Sequence, residues 1–341
     1  MRIEHYFRLA KNLIGRKRPI YVHFAVTHRC SLRCRMCGIW STGNEAEEIS
    51  LLDINRIAEY LYSLGVVSIS LGGGEPLERK DLVDIVRIFK KNKFNVRLLT
   101  NGIIEDSSKI KDLINAGLDE VSISLDILDP TKQDYICSGE GVWDKVVGTM
   151  KIFAQNIKGR DGALLVNTVV SKHNIKELIE LAQFVKEYKF YISFIPLENN
   201  SLTDDGFKIL KEDYGEVDKI YSLLIKEKNK RGNNIFNSTK FLEMSRNYFL
   251  GRKINNDCDA GELYLSISPE GFISFCHKFT ENMALSLEDF DKFIKSQDYR
   301  RQCREFREKC GGCMRPCWRE ISFLSHDFKS FFEITRLKLK F

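Results

Sequence analysis

An α/β protein with a mostly parallel sheet, followed by a small thiol-rich module, is what the sequence predicts. Three observations lead there. Short β-branched runs alternate with stretches of helical period from residue 20 onward, unusual residues recur at the carboxyl ends of those runs, and the cysteines gather near both ends of the chain. Strands separated by helices join parallel neighbours through right-handed crossovers, so the sheet is either doubly wound or curved into a barrel.

Strands are expected at Tyr21 to Thr27, Val66 to Leu71, Asn95 to Thr100, Glu120 to Leu125, Ala163 to Val170 and Tyr191 to Pro196. Helices fall between them. Asp53 to Ser63 carries Ile54, Ile57, Ala58 and Leu61 on one face, and Asn174 to Tyr188 carries Ile175, Leu178, Ile179, Ala182 and Val185. The first strand runs into the Cys30 loop, the second into Gly72-Gly73-Gly74-Glu75-Pro76, and the third into Thr100-Asn101-Gly102. The fourth carries Ser124 and Asp126, and the sixth ends in Pro196-Leu197-Glu198. That edge is where α/β sheets and barrels bind ligands.

After residue 200 the alternation gives way to helical stretches, Tyr214 to Asn229 and Ser238 to Leu250. A hairpin is expected next, Leu263 to Ser268 and Phe272 to Cys276 around Pro269-Glu270-Gly271, and then a loop-rich region from Cys303 to Cys317. The chain has 341 residues, 43% of them hydrophobic, with 53 basic and 47 acidic side chains. That is enough to build a core, and no apolar run approaches the roughly 20 residues of a membrane span. The mild, interspersed +6 charge gives no argument for nucleic acid. The first residues lack a secretory h-region, so the expected compartment is the cytoplasm.

In a reducing compartment Cys30, Cys34 and Cys37, three thiols within eight residues, are better explained by a metal than by disulfides. Zinc competes, because Cys34-x-x-Cys37 and Cys310-x-x-Cys313 each have zinc-like spacing. Iron–sulfur cubanes normally take four thiolates, so a loop offering three leaves one iron without a local protein ligand.

With this C-x-x-x-C-x-x-C loop after its first strand, the chain resembles the radical S-adenosylmethionine (radical SAM) enzymes over about residues 20 to 200. The resemblance implies a partial (β/α)6 TIM-like barrel in which Cys30, Cys34 and Cys37 hold a 4Fe-4S cluster and SAM chelates the fourth iron. Gly73, Gly74 and Glu75 match the motif that receives the SAM ammonium. Ser124 and Asp126 match positions that meet its ribose, with Asn101 and the backbone near Ile195 as further contacts. Met36 departs from the pattern, in which an aromatic often precedes the third cysteine. Read without the resemblance, Gly72 to Gly74 fit a plain turn, and Ser124 and Asp126 fit a helix cap.

Cys258, Gly271 and Cys276 are spaced C-x12-G-x4-C, so a hairpin would bring the two thiols together. With Cys310-x-x-Cys313 this resembles the auxiliary-cluster domains known as SPASM and twitch. The tail is too poor in cysteine for two further cubanes. One auxiliary iron–sulfur cluster on Cys258, Cys276, Cys310 and Cys313 is expected, with Cys317 next in line and a structural zinc as its competitor. Cys137 and Cys303 read as ordinary buried cysteines. His277 is a candidate proton acceptor beside that cluster.

The implied activity is an oxidoreductase that removes hydrogen from an unactivated carbon of a ribosomally made peptide or a small alcohol or sugar. A flavodoxin or ferredoxin would supply the electron, and a peptide substrate could require a separate leader-peptide-binding protein. Basic amphipathic termini raise the alternative of a lipid or isoprenoid substrate with peripheral membrane contact. A non-catalytic, metal-stabilised binding protein is the rival class. The expected organisation is a basic N-terminal helix over 1–19, the barrel over 20–200, a helical connector over 201–254, the auxiliary-cluster domain over 255–320 and an amphipathic tail over 321–341.

Overall fold

The structure, a computed structural model, describes residues 18–41, 47–103, 107–157, 163–198, 204–254, 257–276, 284–310, 312–327, 329, 330, 332 and 333, with His5, Arg8, Leu9 and Asn12. Most of the two basic termini, and His277, lie outside these residues. No described helix is long and apolar enough to cross a membrane.

Strands β1 (Tyr21–Thr27), β2 (Ser68–Gly73), β3 (Asn95–Thr100), β4 (Glu120–Ser124), β5 (Leu164–Val170) and β6 (Tyr191–Pro196) pair in sequence order, every pair parallel. Helices α1 (Leu51–Leu64), α2 (Leu82–Lys91), α3 (Ser107–Asn115), α4 (Pro130–Cys137), α5 (Val142–Asn156) and α6 (Leu178–Glu187) supply the crossovers. The sheet does not close on itself. Its β1 edge is extended by β7 (Tyr264–Ile267), parallel to β1, and then by the antiparallel β8 (Ile273–Ser274). The hairpin therefore belongs to the barrel sheet, joined to it at Tyr21↔Tyr264 through Phe24↔Ile267.

Alternation along the strands sorts the two faces. Val22, Phe24 and Val26 of β1, with Ile69, Leu71, Val96, Leu98, Val121 and Ile123, are buried against the helices. Each such side chain contributes roughly 1.5–3 kcal/mol through burial. Phe24 meets Phe89 of α2 edge-on at 6.2 Å, and Phe89 meets Phe94 at 5.5 Å. Helix α1 begins where the Ser50 side chain accepts the Asp53 N–H and stops at Gly65 in the left-handed region, φ +98°.

After β6 come α7 (Tyr214–Lys228) and α8 (Thr239–Phe249), then α9 (Leu287–Lys295), α10 (Tyr299–Lys309) and α11 (Pro316–His326) beyond the hairpin. The expected second strand is shifted, starting at Ser68 and running on to Gly73. The stretch expected to be loop-rich is largely helical: Cys303 lies within α10 and Cys317 within α11. Helix α10 signals itself only by the narrow apolar stripe Tyr299, Cys303 and Phe306 among charged residues. It is held by Tyr299 and Phe306 against Phe275 and by the buried Cys303, and Pro316 starts α11.

Replacing Phe89 by Ala removes the ring shared by Phe24 and Phe94. It should destabilise the chain by about 3–5 kcal/mol in a urea melt, with little change in the slope of the transition.

Candidate functional site

The loops after β1 and β2 lie against each other. The Gly74 N–H donates to the Thr27 carbonyl at 2.8 Å and the Glu75 N–H to the Arg29 carbonyl at 2.7 Å. A side chain at Gly73 or Gly74 would drive its first carbon into the Thr27 or Arg29 carbonyl, and Gly73 sits at φ +121°. Glycine is required here by the approach of two backbones.

Arg79, buried at the end of the short turn after Glu75, ties this junction to its surroundings. Its guanidinium donates to the Val26 carbonyl and the Ile49 carbonyl, each at 2.7 Å, and to Asp81 at 2.7 Å. Glu48 accepts from Thr27 Oγ1 at 2.5 Å and from Arg29 at 3.0 Å. Glu78 takes the Ser31 N–H at 2.5 Å, so the loop bearing Cys30, Cys34 and Cys37 is held from its base. Within the loop the Cys37 N–H donates to the Cys34 carbonyl at 3.0 Å.

Among the described residues, no three His, Cys, Asp or Glu side chains form a ready-made metal-ligand group. Neutral thiols have no mutual attraction, and here burial pushes Cys30 up to about 11 and raises Cys37. Cys34 is raised well above the usual thiol range by a hydrogen bond with the Cys137 thiol and then by burial. Metal loading would therefore displace protons.

Glu75 is 2% exposed and faces the mouth through three donors: Leu77 N–H at 2.9 Å, Thr100 Oγ1 at 2.8 Å and Asn101 N–H at 2.6 Å. Burial raises its carboxyl to about 7 against the pull of those hydrogen bonds. A carboxylate offers about four acceptor sites, so one is left for a further donor. Asn101 Nδ2 beside it is buried without a partner.

Asp126 just beyond β4 accepts the Val169 N–H at 2.7 Å, and burial raises it to about 7 as well. Neither Ser124 nor Asp126 caps α4; Asp129 does, taking the Lys132 N–H. Ser124 is exposed at the strand end opposite Asn167, and Ile195 is paired with Val169 on β6. One mouth thus collects Gly73, Gly74, Glu75, Asn101, Ser124, Asp126 and the cysteine loop.

The concave wall below the mouth is polar. Tyr21 and His23 of β1, Ser70 of β2, Arg97 of β3 and Glu120 and Ser122 of β4 alternate with the helix-facing residues. Arg97 pairs with Glu120. Ser122 Oγ and His23 Nδ1 are buried without partners. Burial, followed by the nearby Arg315 charge, lowers His23 to about 4, so its ring is neutral near pH 7. Sequence reading missed this wall, because polar residues on alternate strand positions look like a solvated face.

In the C-terminal module the Cys258 thiol meets Tyr264 Oη at 2.8 Å. Cys276 and Cys313 also lie close enough to Tyr264 to raise its hydroxyl pKa, behind burial and Cys258 in effect. The Cys310 sulfur accepts the Gly312 N–H, next to Cys313 in the chain, at 3.4 Å. Cys317 lies near Cys313 and is pushed up to about 12 chiefly by burial. Cys303 is buried elsewhere, against Gly261 and Tyr299.

The family model for the Radical SAM superfamily matches residues 24–185. A GTP 3',8-cyclase from Helicobacter pylori is 30% identical over 239 residues, covering 68% of this chain and 71% of that relative. A probable GTP 3',8-cyclase from Archaeoglobus fulgidus is 34% identical over 177 residues, 52% of this chain and 56% of the relative. One from Peptoclostridium acidaminophilum is 33% identical over 187 residues, 53% and 56%. The chain spans a little over half the length of these last two. Among solved structures, Streptococcus suis SuiB bound to S-adenosylmethionine aligns with TM-score 0.66 at 18% identity, over 94% of this chain and 78% of that one. Hexahistidine-tagged anSMEcpe with bound AdoMet aligns with TM-score 0.59 at 18% identity, over 94% and 98%. At such identities the likeness is one of fold.

Arg79→Met removes the guanidinium that holds the base of the cysteine loop and leaves the half-buried Asp81 beside an apolar side chain. The expected cost is about 3–5 kcal/mol in chemical denaturation, with iron retention after reconstitution falling in parallel.

Proposed function

This chain belongs to the radical SAM superfamily, and from that premise we propose that it is an oxidoreductase acting on a polar substrate at the barrel mouth. The carrying observation is the junction of the two loops, which sets three thiols, the Glu75 carboxylate and the unpartnered Asn101 Nδ2 at one rim. The donor set fits the group the family implies: thiols suit iron, and an acceptor-only carboxylate suits an ammonium. When bound, the 4Fe-4S cluster and SAM supply a 5'-deoxyadenosyl radical that removes hydrogen from an unactivated carbon.

The residues of this chain do the rest. Cys30, Cys34 and Cys37 hold the cluster. Glu75 accepts from the SAM ammonium while Gly73 and Gly74 let the backbone approach it. Ser124, Asp126 and Asn101, with the backbone near Ile195, would orient the nucleoside. In the module over 255–320, Cys258, Cys276 and Cys313 around Tyr264, with the nearby Cys310, would hold one auxiliary cluster able to take up an electron, and Cys317 is the reserve ligand. An external flavodoxin or ferredoxin delivers the first electron.

The polar wall with His23 and Ser122 favours a peptide side chain or a small alcohol or sugar over a lipid. SuiB, solved also with its precursor peptide SuiA, is the fold-level support for a peptide. The curated relatives, named for GTP, support a nucleotide as the second reading.

Two outcomes are expected. Anaerobically reconstituted protein should hold about eight irons and make 5'-deoxyadenosine under dithionite. The Cys30→Ala/Cys34→Ala/Cys37→Ala variant should hold about four and make none. A parent with about four irons plus zinc would remove the auxiliary cluster, and a parent that makes no deoxyadenosine would remove the enzyme reading.

Second, Glu75 is neutral below about pH 7 and ionised above it, so SAM affinity should rise roughly tenfold from pH 6 to pH 8 by equilibrium dialysis. Glu75→Gln should be weak and flat across that range. The same raised carboxyl works against folding. The unfolded chain sheds its proton first, so stability from this group falls as pH climbs from the ordinary carboxylate range through about 7.

A further inference from the structure

The loop that carries Cys30, Cys34 and Cys37 turns two arginines and two large apolar side chains outward. Arg33, Arg35, Ile39 and Trp40 are all exposed, the last two at 40% and 38%. Ile39 and Trp40 sit in a short turn, Ile39–Ser41, that buries none of its residues. The turn is ordered all the same, since the Ser41 N–H and Oγ donate to the Gly38 carbonyl at 3.0 and 2.7 Å. Two adjacent apolar side chains held in water by an ordered turn forgo the burial that a partner could supply.

The arginines stand beside aromatic rings. Arg33 reaches back to the Cys30 carbonyl and to the Leu32 carbonyl at 3.1 Å, and its guanidinium carbon lies 5.6 Å from the Trp40 ring centroid. Arg35 lies 4.2 Å from the centroid of Tyr135, itself 46% exposed, while its Nε donates to the Tyr135 carbonyl at 3.1 Å. Among the described residues Arg33 has no carboxylate within ion-pair distance. Arg35 meets Asp204 at 3.9 Å with both groups in solvent, where a pair is worth little. Both guanidinium groups are therefore available to an acidic partner.

Arginine beside tryptophan and tyrosine is the composition of the dominant contacts in protein–protein interfaces. Its place on the chain says which protein would use it. With the cluster in this loop, SAM and substrate occupy the inner side at the barrel mouth, so the external electron has to enter from the outer side. Electron transfer through protein falls steeply with distance, and Arg33 touches the carbonyl of a cluster cysteine.

We propose that Arg33, Arg35, Ile39 and Trp40, with Tyr135 beside them, form the docking face for a small acidic electron-transfer protein of flavodoxin or ferredoxin type. The proposal rests on the reading of Cys30, Cys34 and Cys37 as cluster ligands, and gives the external donor of that reading its place. One electron leaves the reduced centre of the donor, which is oxidised, and reduces the cluster; no bond forms or breaks. The guanidinium groups steer and orient the acidic partner, and Ile39 and Trp40 are covered on contact. Redox encounters use small interfaces, which matches a face of five side chains.

The test titrates anaerobically reconstituted holoprotein by calorimetry with oxidised flavodoxin and, separately, oxidised ferredoxin, and follows cluster reduction by each reduced donor in stopped flow. At least one donor should bind, more weakly as salt is added. Trp40→Ala and Arg33→Glu should each weaken that binding about tenfold and slow reduction by that donor in proportion. Dithionite should still drive 5'-deoxyadenosine formation at the parental rate in both, with iron content unchanged. Parental binding in Trp40→Ala, or in iron-replete Arg33→Glu, would overturn the proposal. So would a parent that binds neither donor, or a parent dimer that Trp40→Ala splits, which would give the face to a second copy of the chain. Arg33 also braces the Cys30 carbonyl, so if Arg33→Glu loses iron, Trp40→Ala alone decides. A parent that makes no 5'-deoxyadenosine even with dithionite overturns instead the reading of the Cys30 loop, and this proposal with it.

Discussion

The close approach of two backbones, Thr27 to Arg29 after β1 and Gly73 to Glu75 after β2, is the constraint on which the rest of the site depends. Parallel strands put their carboxyl ends side by side, but adjacent loops usually diverge. Here two hydrogen bonds of 2.7–2.8 Å hold them together, and the absence of side chains at Gly73 and Gly74 makes that spacing sterically possible. The result is mutual positioning: the thiol-bearing loop cannot move without moving Glu75, and Glu75 is tied in turn to the end of β3 through Thr100 and Asn101.

That junction also explains why so much buried charge is tolerated at the rim. Arg79 satisfies two carbonyls and Asp81, and Glu48 answers Thr27 and Arg29, so the desolvated groups are paired. On the other edge of β1, pairing with β7 brings the thiol-rich module against the barrel. Tyr21 and Tyr264 are register partners, Tyr264 stacks on Trp318 at 5.6 Å, and Cys258 touches the Tyr264 hydroxyl. One strand thus serves both thiol groups, the first through the loop at its end and the second through its hydrogen-bonded neighbour.

Much of this was legible in the sequence, for physical reasons. Strands with one face against helices alternate strongly, and the glycines and cysteines needed at loop ends have few substitutes, so β1, β3, β6 and the rim motifs stand out. Helix α10 did not, because its apolar stripe is only Tyr299, Cys303 and Phe306 among Arg, Glu, Gln and Lys, and that narrow stripe packs on Phe275 and Phe293. The polar wall was hidden for the opposite reason. His23 and Ser122 sit at strand positions where polarity normally means solvent, and only the curvature of the sheet turns them inward.

Cys137 is the sharpest case, since a single cysteine at the end of a short helix is most simply read as a small apolar residue. What separates it from Cys303, which reads the same way, is the company it keeps. Cys303 is enclosed by Gly261 and Tyr299 away from the Tyr264 group, whereas Cys137 is held by an amide whose orientation is fixed by two backbone N–H groups. That firmly held side chain ends a helix whose Tyr135 and Ile136 carbonyls accept from Arg35 of the cysteine loop. Hydrogen bonds of this kind leave no trace in spacing or composition, because each partner is supplied by a different part of the fold: the loop after β1, the loop after β4 and the last turn of α4.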